Sequence, residues 1–147
     1  MAVDPQTLDD PQQVRNLLHN AERLAATELA RACKRRLYEL SGEYSDDPVE
    51  VRLWKAVAAL EESYLQKHGR KQVAGYTRRK IRDKGAVATL SDWALKTEVT
   101  PGFEALIAEG LAEFTGEHII IDHPDRFEQH VVVAAKRRLS EYGVQTE

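Results

Sequence analysis

Apolar residues recur at intervals of three and four along most of this chain, which is the spacing of one face of an α-helix. In the first part the stripe consists of Val14, Leu17, Leu18, Ala21, Leu24, Leu29, Cys33, Leu37 and Leu40. Asp10 and Pro11 predict a helix start, with Asp as N-cap and Pro in the first turn, and Thr27 can cap a second helix. The pattern leaves open whether residues 11–41 form one helix, ended by Gly42, or a hairpin broken near residues 25–27.

The clearest helix start lies at Asp47 and Pro48, with Glu50 three residues after the cap in an arrangement close to a capping box. One face of the predicted helix carries Val49, Leu53, Val57, Leu60 and Tyr64. Gly69 is predicted to end it, because glycine readily adopts the left-handed conformation found at helix C-termini.

Four further segments have helical spacing: residues 78–84, 86–96, 101–109 and about 126–142. Thr77 is predicted to cap the first of these, and Gly85 to end it. Its only strongly apolar residue is Ile81, so most of this helix must face water or a partner.

Residues 111–122 fit two patterns, because Gly116 and three consecutive isoleucines suit a strand while the apolar spacing suits a helix. We favour a helix, because no second segment offers a strand to pair with. The predicted fold is therefore all-α: a single-domain bundle of six or seven helices over residues 1–147, with an N-terminal arm (1–9) and a short tail (144–147).

The composition is that of a soluble globular protein, with 42% apolar and 31% charged residues. No apolar run is long enough to span a bilayer, and the acidic N-terminus does not have the pattern of a signal peptide. The single cysteine, Cys33, lies on an apolar face, where we expect it to pack as a small hydrophobic residue. We therefore expect a cytoplasmic protein with no membrane association.

Charge is distributed unevenly along the chain. The formal net charge is −3, yet residues 67–96 hold nine Lys and Arg against two Asp, a net +7. Residues 1–66 carry −4 and residues 97–147 carry −6. A separation of this kind predicts that an anionic partner is attracted to the central segment and repelled elsewhere.

The central segment therefore supplies the candidate binding residues: Lys67, Arg70, Lys71, Tyr76, Arg78, Arg79, Lys80, Arg82 and Lys84. Cations at this density can neutralise phosphates and release their counterions, and Tyr76 can stack on a base. Asn and Gln are scarce here, so the prediction is backbone contact with nucleic acid, most naturally DNA, and not base readout. Two alternatives stay open: a face that docks an acidic protein or a second copy of the chain, and a solvated face that pairs with the acidic flanks.

A second cluster has the residue types of metal and acid–base sites: Glu117, His118, Asp122, His123, Asp125, Glu128 and His130. His118 and Asp122 lie one turn apart on one face if the segment is helical. His118 also falls on the apolar stripe, where a histidine is more often a packed boundary residue. No phosphate loop or nucleophile motif occurs. We therefore predict no catalytic residue, metal or cofactor and favour a non-enzymatic protein, with a metal-dependent hydrolase that uses residues 117–130 as the remaining enzymatic alternative.

One set of residues resembles a pattern in uncharacterised bacterial helical domains. It comprises the run 76–85 (YTRRKIRDKG), then Gly102, Phe103, Leu106, Gly110 and Leu111, and finally Glu117, His123, Pro124 and Phe127. Such domains accompany restriction and other DNA-handling genes. The resemblance implies DNA-related work and carries over no catalytic position.

Overall fold

Eight α-helices and three short 3₁₀ turns make up the regular structure of residues 3–41, 45–70 and 72–145, the part of the chain that the computed structural model describes. The helices are α1 (Pro11–Arg23), α2 (Thr27–Ser41), α3 (Pro48–His68), α4 (Gly75–Lys84), α5 (Ala86–Leu95), α6 (Pro101–Ala108), α7 (Gly116–Asp122) and α8 (Gln129–Glu141). No strand occurs in these residues, so the all-α prediction is confirmed, whereas six or seven helices was too few. The chain divides into two compact units, Met1–Gly42 and Glu43–Glu147, and its folding as a single domain stays a prediction.

The first unit is a helical hairpin, which settles the alternative left open for residues 11–41 and accounts for a helix missing from the predicted number. Asp10 caps α1 by accepting a 2.9 Å hydrogen bond from the Gln12 N–H. The chain then turns at Ala25, whose φ of 56° ends the helix, and the Ala26 N–H donates back to the Ala21 carbonyl at 2.8 Å. Gly42, the predicted end of the second helix, lies outside the described residues.

The N-terminal arm of this unit is held to α2 by Arg36. Its guanidinium donates to the Leu8 carbonyl at 3.0 Å and to the Asp9 carboxylate at 2.9 Å. Within the arm, a 3₁₀ turn covers Pro5–Thr7, and Asp4 caps it through the Gln6 N–H. Most of the predicted arm therefore has defined contacts.

The second unit is organised around α3, whose predicted ends are both confirmed. Asp47 accepts a 2.9 Å hydrogen bond from the Val49 N–H, and Gly69 follows the helix with a φ of 72°. The core lies where α3 meets α5, α7 and α8, and its fully buried members include Val57, Leu90, Ile119 and Ala135. Removing such side chains from water is the main stabilising contribution, about 1.5–3 kcal/mol for each large one.

Residues 111–122 are helical, as predicted, in the form of a 3₁₀ turn (Ala112–Phe114) followed by α7. Ile119 and Ile120 are fully buried, so the isoleucines that suit a strand serve instead to pack a short helix into the core. Thr115 caps α7 by accepting from the His118 N–H at 3.2 Å. Gly116 begins the helix directly against α5, where a Cβ would lie 2.8 Å from the Trp93 ring.

The predicted start of α4 at Thr77 was wrong, because the helix begins at Gly75. A carboxylate on another helix takes the place of the expected cap: the Ala74 N–H donates to Glu61 on α3 at 2.8 Å. Ile81, 3% exposed, is the only residue of α4 buried in the core, as predicted. None of the helices in the described ranges is both long and apolar enough to cross a membrane.

Candidate functional site

The predicted binding residues fall into two groups in the structure. Six are exposed: Lys67, Arg70, Tyr76, Arg79, Arg82 and Lys84. Arg78 and Lys80 are partly buried, with side chains 22% and 11% exposed. Lys71 lies outside the described residues. We call the six exposed residues the basic face.

The helical repeat explains part of this division. With 3.6 residues per turn, Tyr76, Arg79 and Asp83 project from the side of α4 opposite the buried Ile81, and Arg82 projects from one flank, about 100° from Ile81. All four are exposed, and Tyr76 keeps 69% of its surface accessible. Arg79 and Arg82 form no ion pair with the described residues, so their charge is directed to solvent.

Arg78 lies on the inner flank of α4, where it joins this helix to α3. Its guanidinium donates two hydrogen bonds of 2.7 Å to the Glu61 carboxylate. It also lies 5.5 Å from the centre of the Trp54 ring, a cation–π distance. The same Glu61 accepts the Ala74 N–H, so one carboxylate fixes both the start of the helix and its first inner cation.

Lys80 makes the corresponding connection on the other flank, to α5. Its ammonium pairs with the Asp92 carboxylate. The hydrogen bond from Lys80 lowers the pKa of Asp92, and the nearby charges of Lys84 and Lys96 act in the same direction. Two of the predicted contact residues thus attach α4 to its neighbours: Arg78 through Glu61, which belongs to an acidic flank, and Lys80 through Asp92, which belongs to the basic segment itself.

The sequence interpretation missed the residues that hold α4 in place, namely Glu61, Trp54 and Asp92. A signal existed for Asp92, which lies within the basic segment as one of its two carboxylates. Glu61 and Glu62 are adjacent, and only the three-dimensional position of α4 distinguishes the one that receives Arg78.

The second cluster of candidate residues is not assembled into one site. His118 Nδ1 and the Asp122 carboxylate lie 2.8 Å apart, one turn from each other as predicted, and Arg52 donates to the same carboxylate at 2.9 Å. His130 lies 3.4 Å from Glu128 in a separate, exposed pair. Within the described part of the chain, no three His, Cys, Asp or Glu residues are placed to share a metal ion.

Glu117 points the other way, into the protein, where it pairs with Arg138 of α8. The Arg138 guanidinium donates to the carboxylate at 3.0 Å, to the Trp93 carbonyl at 2.9 Å and to the Lys96 carbonyl. Burial raises the pKa of Glu117, and the hydrogen bond from Arg138 opposes that rise. Because the donated bonds join α7, α8 and the end of α5, the pair is suited to holding these helices together.

A surface cleft of about 740 Å³ lies beside this pair, between the end of α5 and the end of α8. Its charged lining residues are Lys96, Glu98, Glu104, Arg137, Arg138 and Glu141. Because Arg138 is already paired with Glu117, two cations remain against three carboxylates, and the cleft has no excess of positive charge to attract an anion. Cys33 is buried in the first unit, and burial raises the pKa of its thiol, which disfavours the reactive thiolate.

The arrangement of charge on α4 is thus the feature of this molecule with the clearest chemical consequence. The resemblance of residues 76–127 to the bacterial helical domains described above stays a prediction. No protein-family model matches the chain, and no curated protein and no solved structure matches it.

Proposed function

We propose that this protein binds nucleic acid as a non-enzymatic, DNA-associated accessory protein, contacting the phosphate backbone through the basic face. One observation carries the proposal. α4 directs Arg79 and Arg82 to solvent, with Arg79 one turn from the exposed Tyr76, while the inner cations of the helix, Arg78 and Lys80, are paired with carboxylates.

The charge pattern supports a polyanionic partner. Arg79, Arg82 and Lys84 lie within six residues of one helix, and Lys67 and Arg70 flank the segment that leads into it. Guanidinium groups form two parallel hydrogen bonds to phosphate, and each phosphate neutralised releases a counterion. Outside residues 67–96 the chain is net negative, which confines a polyanion to this face.

The proposed roles differ within the predicted set. The exposed cations would contact phosphates directly, whereas Arg78 and Lys80 would position α4 through Glu61 and Asp92. Docking of an acidic protein on the same face is the competing function, and it is separated from nucleic-acid binding by the test below.

The test measures binding of the purified protein to a fluorescently labelled random-sequence duplex across a series of salt concentrations. A triple variant, Arg79→Ala with Arg82→Ala and Lys84→Ala, removes three exposed cations from α4. We expect weaker binding in the variant and a log–log salt dependence that is shallower by about 2–3, because each lost phosphate contact removes close to one counterion.

A charge-matched control removes three exposed cations elsewhere, with Arg23→Ala, Lys136→Ala and Arg137→Ala. Both triple variants have the same net charge, so a general charge effect weakens both equally and a local contact weakens only the first. Absence of duplex and single-strand binding at low salt, with circular dichroism showing that the wild type is folded, would contradict the proposal. The acidic-partner alternative would then be pursued by affinity capture with the α4 variant as control.

A further inference from the structure

Among the described aromatic residues of the second unit, Tyr76 is the most exposed, and it lies among cations. The residue is 69% accessible, and none of the described rings packs on its ring. Val73, three residues earlier, is also exposed, at 56%. Single exposed apolar residues are common on protein surfaces, but an aromatic ring one helical turn from Arg79 combines a stacking surface with a phosphate ligand.

We infer that the basic face recognises unpaired, single-stranded nucleic acid, with the Tyr76 ring stacking on a base and Arg79 and Arg82 binding the adjoining phosphates. This inference rests on the proposed function and specifies its substrate class. In a duplex both faces of each base are covered by neighbouring bases, so a surface ring reaches only base edges, sugar and phosphate. An unpaired strand offers the face of a base to the ring and its phosphates to the flanking arginines.

The position of Asp83 favours the same substrate. Asp83 lies seven residues after Tyr76, on the same side of α4 and about 10 Å further along its axis. If α4 lay along a duplex groove, this exposed carboxylate would enter the groove together with Arg79 and Arg82, close to the phosphates of both strands. A flexible single strand seated on Tyr76 and Arg79 can curve so that its other phosphates stay away from the carboxylate, whereas the fixed spacing of phosphates in a duplex does not allow this.

The experiment compares labelled oligo-dT and oligo-U of about 16 nucleotides, a length typical of single-strand sites, with a duplex of equal length. The variants are Tyr76→Leu, which keeps an apolar side chain but loses the ring, and Tyr76→Phe, which keeps the ring. We expect the wild type to bind single strands about tenfold or more tighter than the duplex. Tyr76→Leu should lose about tenfold for single strands with an unchanged salt dependence, and Tyr76→Phe should lose much less.

The inference and the proposed function fail in different ways. Equal affinity for single strand and duplex, or no loss in Tyr76→Leu, would overturn the inference while an Arg79- and Arg82-dependent salt effect left the proposed function standing. Absence of binding to every probe at low salt would overturn both. Tighter binding of either oligo-dT or oligo-U, with the same dependence on Tyr76, would support the inference and identify DNA or RNA as the source of the strand.

Discussion

Glu61 controls how α4 presents the predicted binding residues. Its carboxylate accepts the Ala74 N–H at the start of α4 and both hydrogen bonds from Arg78. Only 12% of the Glu61 side chain is exposed, so water would hydrate the carboxylate poorly if these contacts were lost. The residue therefore couples the placement of α4 to the stability of the second unit.

Replacing Glu61 by Gln should destabilise the protein by about 1–3 kcal/mol, because the ion pair becomes a contact between a cation and a neutral amide, which leaves the charge of Arg78 uncompensated. The measurement is the free energy of unfolding from urea titration, followed by tryptophan fluorescence. Both tryptophans, Trp54 and Trp93, belong to the second unit, so the signal reports on the region that contains α4.

Glu98→Gln provides the matched control, since Glu98 is exposed and forms no ion pair with the described residues. It should change stability by less than about 0.5 kcal/mol. Equal effects of the two substitutions would show that Glu61 is an ordinary surface carboxylate, and the assigned anchoring of α4 would be wrong.

Helix starts that are capped by a neighbouring residue could be predicted from the sequence. The start of α4 could not, because it depends on a residue of another helix. Asp10, Asp47 and Thr100 each cap the helix that follows by accepting an N–H two or three residues ahead, an interaction visible in the sequence itself. At the start of α4 the Ala74 N–H donates instead to Glu61, which lies 13 residues earlier on another helix. Thr77 is a residue type that often caps helices, but it lies inside α4 and does not cap it.

The candidate site was predictable to the same extent. The scarcity of apolar residues in α4 predicts that it faces outward, which agrees with the exposure of Tyr76, Arg79 and Arg82. The pairing of Arg78 and Lys80 could not be predicted, because the cations of residues 78–84 are chemically alike and differ only in the direction in which they project from the helix. That direction depends on where α3 and α5 pack.

Gly116 gives a test of packing between elements. It is the first residue of α7, and a Cβ there would lie 2.8 Å from Trp93 Cε3 and 3.0 Å from Leu90 Cδ2. Gly116→Ala should destabilise the protein by about 1–3 kcal/mol, because the ring or the helix must move to admit the methyl group. Chemical denaturation followed by far-UV circular dichroism measures the change without relying on Trp93 itself.

Gly75 supplies the comparison, since it is the first residue of α4 and a Cβ there would meet nothing within 4 Å. Gly75→Ala should be neutral or stabilising by up to about 1 kcal/mol, because alanine is the better helix former. If both substitutions proved equally harmless, α7 would not pack against α5 as closely as the structure has it.

At the scale of the whole molecule, ion pairs join segments that are remote in sequence. Asp47, at the start of α3, pairs with Arg126 through two hydrogen bonds of 2.9 Å across 79 residues. Arg52 reaches Asp122 in the same unit at 2.9 Å. The Asp47 pair makes stability depend on pH, because this carboxylate must be ionised to retain its contact with Arg126 in full.

Asp47 has the clearest such dependence. The hydrogen bond from Arg126 lowers its pKa from 3.8 to about 2, and the backbone N–H of Val49 contributes in the same direction. Below its ordinary pKa the unfolded chain binds a proton that the folded protein does not. The contribution of Asp47 is therefore fully present above about pH 5 and is lost as the pH falls towards 2.

Asp47→Asn should remove this part of the acid dependence while keeping the helix cap, since Asn caps helices about as well as Asp. We expect the free energy of unfolding to fall less steeply between pH 5 and pH 2 in the variant than in the wild type, as measured by urea titration at a series of pH values.

Asp125→Asn removes an equal charge beside Arg126 from a carboxylate that forms no ion pair with the described residues, and it should retain the wild-type slope. Because Asp47 and Arg126 are partly exposed, at 31% and 44%, added salt should reduce the difference between variant and wild type. Parallel pH profiles for wild type and Asp47→Asn would mean that the contact does not persist in solution, and the connection between α3 and the turn before α8 would then depend on apolar packing alone.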